Sequence, residues 1–333
     1  MRNFFYDIYL NLTADQKSSV IVEVNNTLVV NFILLFERDY SISAADQLIY
    51  QLHKLGQGKR FLFVFDDGVL LRMTNAVEII KNIIKTFNLN SDSCAVFCRE
   101  PINFPGVTVI YEDSIELWAR QLYPYIKGFD IPQGPFSKRF AVWFNRGTFY
   151  RTMLAEHLQT NHADDSYISY QESGMLRHPR FEQYFEHEIA WASANTPIVY
   201  DEIFTNRSYT YEQIVGDRKP YNDYFMEIIV ETDSLTTGWI TEKTIKNLYI
   251  GKPFLVMSGA RTLEKLRSFG FKTFGSWIDE TYDTIDNNHL RLEAIKREID
   301  RLAGIDVNQM YQELLPILEH NRQTYGKYIT SGR

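Results

Sequence analysis

Cysteine is nearly absent from this chain of 333 residues; the two present, Cys94 and Cys98, share one apolar run, CAVFC. With no further cysteine they cannot form a zinc set. At strand spacing both face one side, so they read as core thiols of a reducing compartment. Runs of about 18 or more apolar residues are missing, which argues against a membrane-crossing helix. The opening MRNFFYDIYLNLTADQK is too broken by Asp and Asn for a signal peptide. A cytoplasmic protein is the expectation. Positive charge is in deficit: 35 Lys and Arg against 42 Asp and Glu leave a formal net charge of −7, the wrong sign for a general polyanion binder. No segment repeats at a period of roughly 20–50 residues. The phosphate-loop, dinucleotide, zinc-protease and nucleophile-elbow signatures are absent too. The seven histidines do not fall at ligand spacing; His53, His157 and His178 read as surface residues, and no metal or other cofactor is expected.

What is present is apolar and aromatic. Apolar residues make up 45% of the chain and include 21 Tyr and 23 Phe, enough to fill sizeable cores, and the length favours two domains. The first third alternates strand and helix: SVIVEV, LVVNFILLF, AADQLIYQLHKL, RFLFVF, NAVEIIKNIIKTF, CAVFC, VTVIY, SIELWARQLYPYI. Continuous apolar strands in a βαβ rhythm predict a mostly parallel sheet covered on both faces. The segment GFDIPQGPFS, 128–137, is the best linker. A second α/β unit follows, with strands RFAVWF, FMEIIVET, PFLVM and FKTF and helices TFYRTMLAEHL, TEKTIKNLYI and TLEKLRSFG, then helices to the end. The expectation is two doubly wound α/β domains, 1–130 and 131–300, with helices over 301–333 packing back on the first.

The stretch TGWITEKTIKNLYIGKPFLV, 237–256, carries the densest chemical signal. Ile245, Leu248 and Tyr249 share one helical face, Gly251 suits the end of the helix, and Pro253 prevents its continuation. Thr241, Glu242 and Lys243 therefore stand at a helix start that follows a strand, where free N–H groups and the helix dipole favour phosphate. A lysine there suits a diphosphate, and a carboxylate beside it can accept both hydroxyls of a ribose. Glu242 and Lys246, four apart, equally suit an ion pair on a solvated face. In RFAVWFNRGTFYRTML, Asn145 and Arg146 lie just past a strand and Arg151 inside the next helix, an edge where open α/β sheets bind ligands. Arg151 as a stem lying over the core is the alternative.

The pair KRFAVWFNRGTFYRTMLAEHL and EIIVETDSLTTGWITEKTIKNLYIGKPFLV resembles the nucleotide-binding half of family 10 fucosyltransferase-type enzymes. PFLVMSGARTLEKLRSFGFKTFGSWIDETYD is similar to glycosyltransferases of phages and marine microbes. The resemblance covers 138–158 and 227–283. It implies a GT-B fold with two Rossmann-like domains facing a cleft, the donor held by the C-terminal one, and inverting transfer of a sugar from a nucleotide-diphosphate donor without a metal. It further implies that Arg151 and Lys243 bind the diphosphate and Glu242 the ribose, with Trp239 in the motif's aromatic place and Glu231 in that of its Glu. Thr232 stands where the family has Asn, which weakens the case for a guanine donor.

The base that takes the acceptor proton belongs to the N-terminal domain on this reading. Glu100, in CREPINF, faintly resembles the family's base segment; Asp66 and Asp67 close the strand RFLFVF, where a turn-forming Asp-Gly is the alternative. The acceptor is open between a saccharide, served by Tyr123, Tyr125, Tyr167 and Tyr170 as aromatic platforms, and hydroxymethylated cytosine in viral DNA, served by Lys59, Arg60, Arg72, Arg99 and Lys127. The negative charge and abundant tyrosine favour the saccharide. A binding protein that has lost catalysis is the third reading.

Overall fold

A computed structural model describes residues 4–13, 16, 19–31, 50–56, 58–65, 76–98, 104, 106–111, 113–144, 147–170, 190–191, 194–195, 215, 218–232, 234 and 237–330. The chain is α/β and divides into two compact units, Met1–Ser114 and Ile115–Arg333.

The first unit holds α1 (Phe4–Leu10), β1 (Ile21–Val24), β2 (Thr27–Asn31), β3 (Arg60–Phe65), α2 (Ala76–Thr86), β4 (Cys94–Cys98) and β5 (Thr108–Tyr111). Asn25 and Asn26 both take positive φ, 48° and 59°. They make the two-residue turn whose twist suits a hairpin, so β1 and β2 pair antiparallel. From β2 onward the strands run parallel in chain order, β2-β3-β4-β5. Side chains alternate between faces. Phe61, Phe63, Phe65, Cys94, Val96 and Cys98 pack with Leu52, Ile80 and Ile83; Leu62, Val64, Ala95 and Phe97 pack with Phe5, Ile8 and Leu12. Both faces are covered, as expected, but not by double winding. The strands stand in chain order, with Leu52 and α2 against one face and α1 against the other. The two cysteines share a face, buried and not joined by a disulfide; burial pushes the Cys94 thiol up to about 12, which makes it inert.

The second unit starts with α3 (Ser114–Ile126) and continues β6 (Lys138–Phe144), α4 (Phe149–Asn161), β7 (Ser166–Tyr170), α5 (Arg218–Asp223), β8 (Tyr224–Val230), α6 (Glu242–Ile250), β9 (Phe254–Met257), α7 (Thr262–Ser268), α8 (Asn288–Ala303) and α9 (Val307–Thr330). Its four strands are parallel in the order β7-β6-β8-β9. The order reverses between β6 and β8, a topological switch point, and the carboxyl ends of those strands are where such sheets bind ligands.

Three expectations change here. The division falls at 114–115, not at 130. Helix α3 is tied into the second unit by Tyr325, which donates to Ala119 O at 2.9 Å. Residues 128–137 are a packed strut, not a linker: Phe136 meets Phe225 and Tyr311 at ring distances of 5.7 and 4.9 Å, and Tyr311 donates to Pro132 O. Helix α9 buries Met310, Tyr311, Leu314, Leu318 and Tyr325 in the core of the second unit. FKTF forms no strand; Asn321 of α9 accepts from Lys272 N at 2.8 Å and donates to Lys272 O at 2.9 Å, serving this segment as a strand partner would.

Candidate functional site

Helix α6 starts where the sequence placed it. Thr241 has extended backbone (φ −123°, ψ −171°) and its Oγ1 accepts from Lys243 N at 3.4 Å. The end is fixed by Gly251 at φ +81°, against which Ile131 packs so closely that a Cβ would lie 2.9 Å from its Cγ2. The helix start is held from beneath by Glu231, which follows β8 directly. One carboxylate oxygen accepts from Thr241 N at 3.0 Å and Thr244 Oγ1 at 2.7 Å; the other accepts from Thr241 Oγ1. Glu231 is buried, with Lys243 Nζ 3.8 Å away. Its observed role is to seat the helix on the sheet edge.

Lys243 Nζ reaches Glu242 Oε1 at 2.9 Å and Thr232 and Thr241 Oγ1 at 3.2 Å each. Its side chain is 24% exposed and that of Glu242 15%, so both sit at the surface of the site rather than in bulk solvent. Burial alone would push the Glu242 carboxyl up, but the Lys243 ammonium beside it, with hydrogen bonds from Lys243 and Thr241, holds it below the ordinary value. Thr232, standing in the family's Asn position, is one of the lysine's three hydrogen-bonding partners. The alternative reading of this turn fails: Lys246 does not pair with Glu242. It is buried and bridges to Glu227 of β8 at 3.2 Å, under the Tyr221 ring.

Arg151, buried on α4, donates from Nη2 to Val230 O at 3.2 Å, the last residue of β8, with its guanidinium 6.0 Å from the Phe144 ring at the end of β6. Two motifs 79 residues apart thus meet at the switch point. Arg151 stands against Val230, Glu231 follows, and Glu231 holds Thr241 and Lys243. Trp239 is buried, its carbonyl accepting from Ser258 at 2.6 Å; its indole N–H has no hydrogen-bond partner among the described residues. Asn145, Arg146, Asp66, Asp67 and Glu100 lie outside the described residues. The strands that precede the three acids, β3 and β4, are parallel neighbours whose ends, Phe65 and Cys98, are in register.

Of the tyrosines read as platforms, Tyr170 is a core residue whose hydroxyl meets Thr152 Oγ1 at 2.6 Å. Tyr123 lies edge-on to Tyr249 at 5.7 Å. Of the basic residues, Lys59 pairs with Glu23 and Arg60 lies over the Phe4 ring at 4.6 Å; Arg72 and Arg99 are outside the described residues.

Two features escaped the sequence reading. Arg291, near the start of α8, is buried and donates to Ser234 O at 3.1 Å, three residues past Glu231. Glu227 and Lys246 form a buried ion pair beneath α6, and Lys252, pushed well below the ordinary lysine value by burial, lies over the rings of Phe136 and Tyr224 at 4.6 and 4.4 Å. A glutamate inside the apolar strand FMEIIV was the signal for the second, since a buried carboxylate needs a buried partner. No helix in the described residues is long and apolar enough to cross a membrane. Comparison with protein-family models, curated proteins and solved structures found no match.

Proposed function

We propose that the chain is an inverting, metal-independent glycosyltransferase that moves a sugar from a nucleotide-diphosphate donor to a saccharide hydroxyl. Its two α/β units would be the halves of a GT-B enzyme. The observation that supports this is the hydrogen bond of Arg151 to Val230 O, the residue before the Glu231 that lies 3.8 Å from Lys243 Nζ, at the β6–β8 switch point. In this reading the α6 N–H groups, Lys243 and Arg151 take the diphosphate. Lys243 exchanges its contact with Glu242 for a phosphate oxygen, which frees the carboxylate for the ribose hydroxyls. The acceptor oxygen bonds to the anomeric carbon as the bond from that carbon to the diphosphate oxygen breaks. The acceptor proton goes to a carboxylate, with Glu100, Asp66 and Asp67 as the proposed choices. The positive groups take up the charge of the leaving diphosphate, so the step does not call for a metal.

The test uses a panel of labelled nucleotide sugars with glycan acceptors and, separately, hydroxymethylcytosine duplex DNA. Lys243→Ala and Arg151→Ala should each lower kcat/KM about 10- to 150-fold, the value of one charged hydrogen bond. Full activity in both variants overturns the assignment. Transfer to the DNA that weakens steeply with salt would replace the saccharide with DNA.

A further inference from the structure

His157 and His162 are five residues apart, a spacing that on a continuous helix would point them to different sides. The helix does not continue. It ends at Asn161, and His162 leaves it at φ −139°, ψ 25°, which swings the second ring back beside the first, with ring centroids 5.7 Å apart. Asp300, in the last turn of α8, meets both: its Oδ1 lies 2.9 Å from His157 Nε2 and 2.8 Å from His162 Nε2. The expectation that the histidines do not cluster fails here, because Asp300 is 138 residues beyond His162 and only the packing of α8 on α4 joins them.

From this geometry we infer a binding site for one borderline divalent ion of the zinc class, held by His157 Nε2, His162 Nε2 and Asp300. One ligand atom from each residue lies within 4.8 Å of the others. A shared ion with bonds of about 2.1 Å needs donor atoms roughly 3.0–3.4 Å apart, so small side-chain shifts suffice. Two imidazoles and one carboxylate suit Zn²⁺ and its neighbours rather than Mg²⁺ or Ca²⁺, and water would complete the coordination. The rings are already oriented. Phe140 packs edge-on to His162 at 5.9 Å, and the Asn161 side-chain amide lies 3.2 Å from His157 Nδ1. With its oxygen turned to that position, the amide accepts from Nδ1–H and leaves Nε2 for the ion.

Charge favours a cation as well. An aspartate in the last turn of a helix opposes the helix dipole, and here the ends of α4 and α8 come together. Arg139 relieves part of this by donating to Leu302 O at 3.0 Å and Ile305 O at 2.6 Å. Lys296, one turn before Asp300, is engaged by Glu293 at 3.0 Å. The ion would clip together the ends of the two helices whose starts carry Arg151 and Arg291. It is separate from the transfer chemistry, and its test does not depend on that reading.

The full chain is stripped with a chelator, dialysed, and titrated with Zn²⁺ alone by calorimetry, with metal content read after equilibrium dialysis. The expected result is one ion per chain with a Kd below about 100 μM, weakened at least ~10-fold in both His162→Ala and Asp300→Asn. Wild type should melt roughly 5–10 °C higher at a free ion concentration about 100 times the Kd, and neither variant should. Asp300 is half exposed, so the asparagine variant tests the site without disturbing the core, and circular dichroism of both stripped variants checks their fold. A Cys94→Ser/Cys98→Ser double variant should bind as wild type does. Weaker or non-stoichiometric binding, or binding undiminished in the two ligand variants, leaves only a carboxylate shared by two histidines and overturns the site.

Discussion

At the scale of single residues, the site is governed by which charges face each other. Glu242 is held by Lys243 against the effect of burial, so its folded-state carboxyl titrates below the ordinary value of 4.5. A carboxylate lowered on folding contributes stability above its unfolded value and loses that contribution as pH falls through the folded one. Glu242→Gln should therefore lower stability at about pH 7, and the deficit should close below about pH 4.5. Urea denaturation of both proteins across this range measures it, and a deficit that does not change with pH would remove Lys243 as its cause. Lys246 illustrates the opposite limit. It carries a charge in the core beside the Tyr221 ring, matched by Glu227, which also accepts from the Tyr224 hydroxyl, whereas its spacing from Glu242 suggested a solvent-facing pair. Spacing along a helix names neighbours on the helix; it does not say whether a strand offers a better one.

At the scale of elements, the short helix α6 is defined at both ends by residues that were legible in the sequence. Thr241 opens it and Gly251 closes it. Gly251→Ala should destabilise the second unit by about 1–3 kcal/mol, because alanine strains at φ +81° and its Cβ would press on Ile131. Thermal melting reads the loss; an unchanged midpoint would show that the αL position and the Ile131 contact are both relaxed at no cost. Thr148 precedes α4 with extended backbone (φ −135°, ψ 161°), but its side chain makes no cap hydrogen bond; Thr152 N bonds to the Thr148 carbonyl at 2.9 Å instead. The FKTF segment shows the limit of pattern reading. Phe271 and Phe274 are both buried but stand three apart rather than two, and Asn321 takes the place of a neighbouring strand.

At the scale of the whole molecule, each unit has its own core, and the position of α3 decides where one ends. A chain beginning at 115 should retain cooperative unfolding of the second unit. A chain beginning at 131 should not, since it loses Ala119, Leu122 and Ile126 from that core and leaves the Tyr325 hydroxyl without its acceptor. Far-ultraviolet circular dichroism during urea unfolding distinguishes the two, and equal stability of both fragments would put the division back at the Pro- and Gly-containing segment.

The sequence by itself determined the α/β class, the apolar strands other than FKTF, and the ends of the helix that starts at Thr241. All of these depend on residues within a few positions of each other. It also marked Arg151 and Lys243, because a helix start after a strand and the carboxyl edge of an open α/β sheet both suit an anionic ligand. Only the tertiary structure decided the strand order. Chain-order strands in the first unit and a reversal in the second follow from the same apolar pattern, and only the second creates a switch point. It also decided the partners of Lys246, Glu231 and His157, since charge pairing in a folded core is set by what lies across the sheet or on the next helix, at separations in sequence that no local rule reaches.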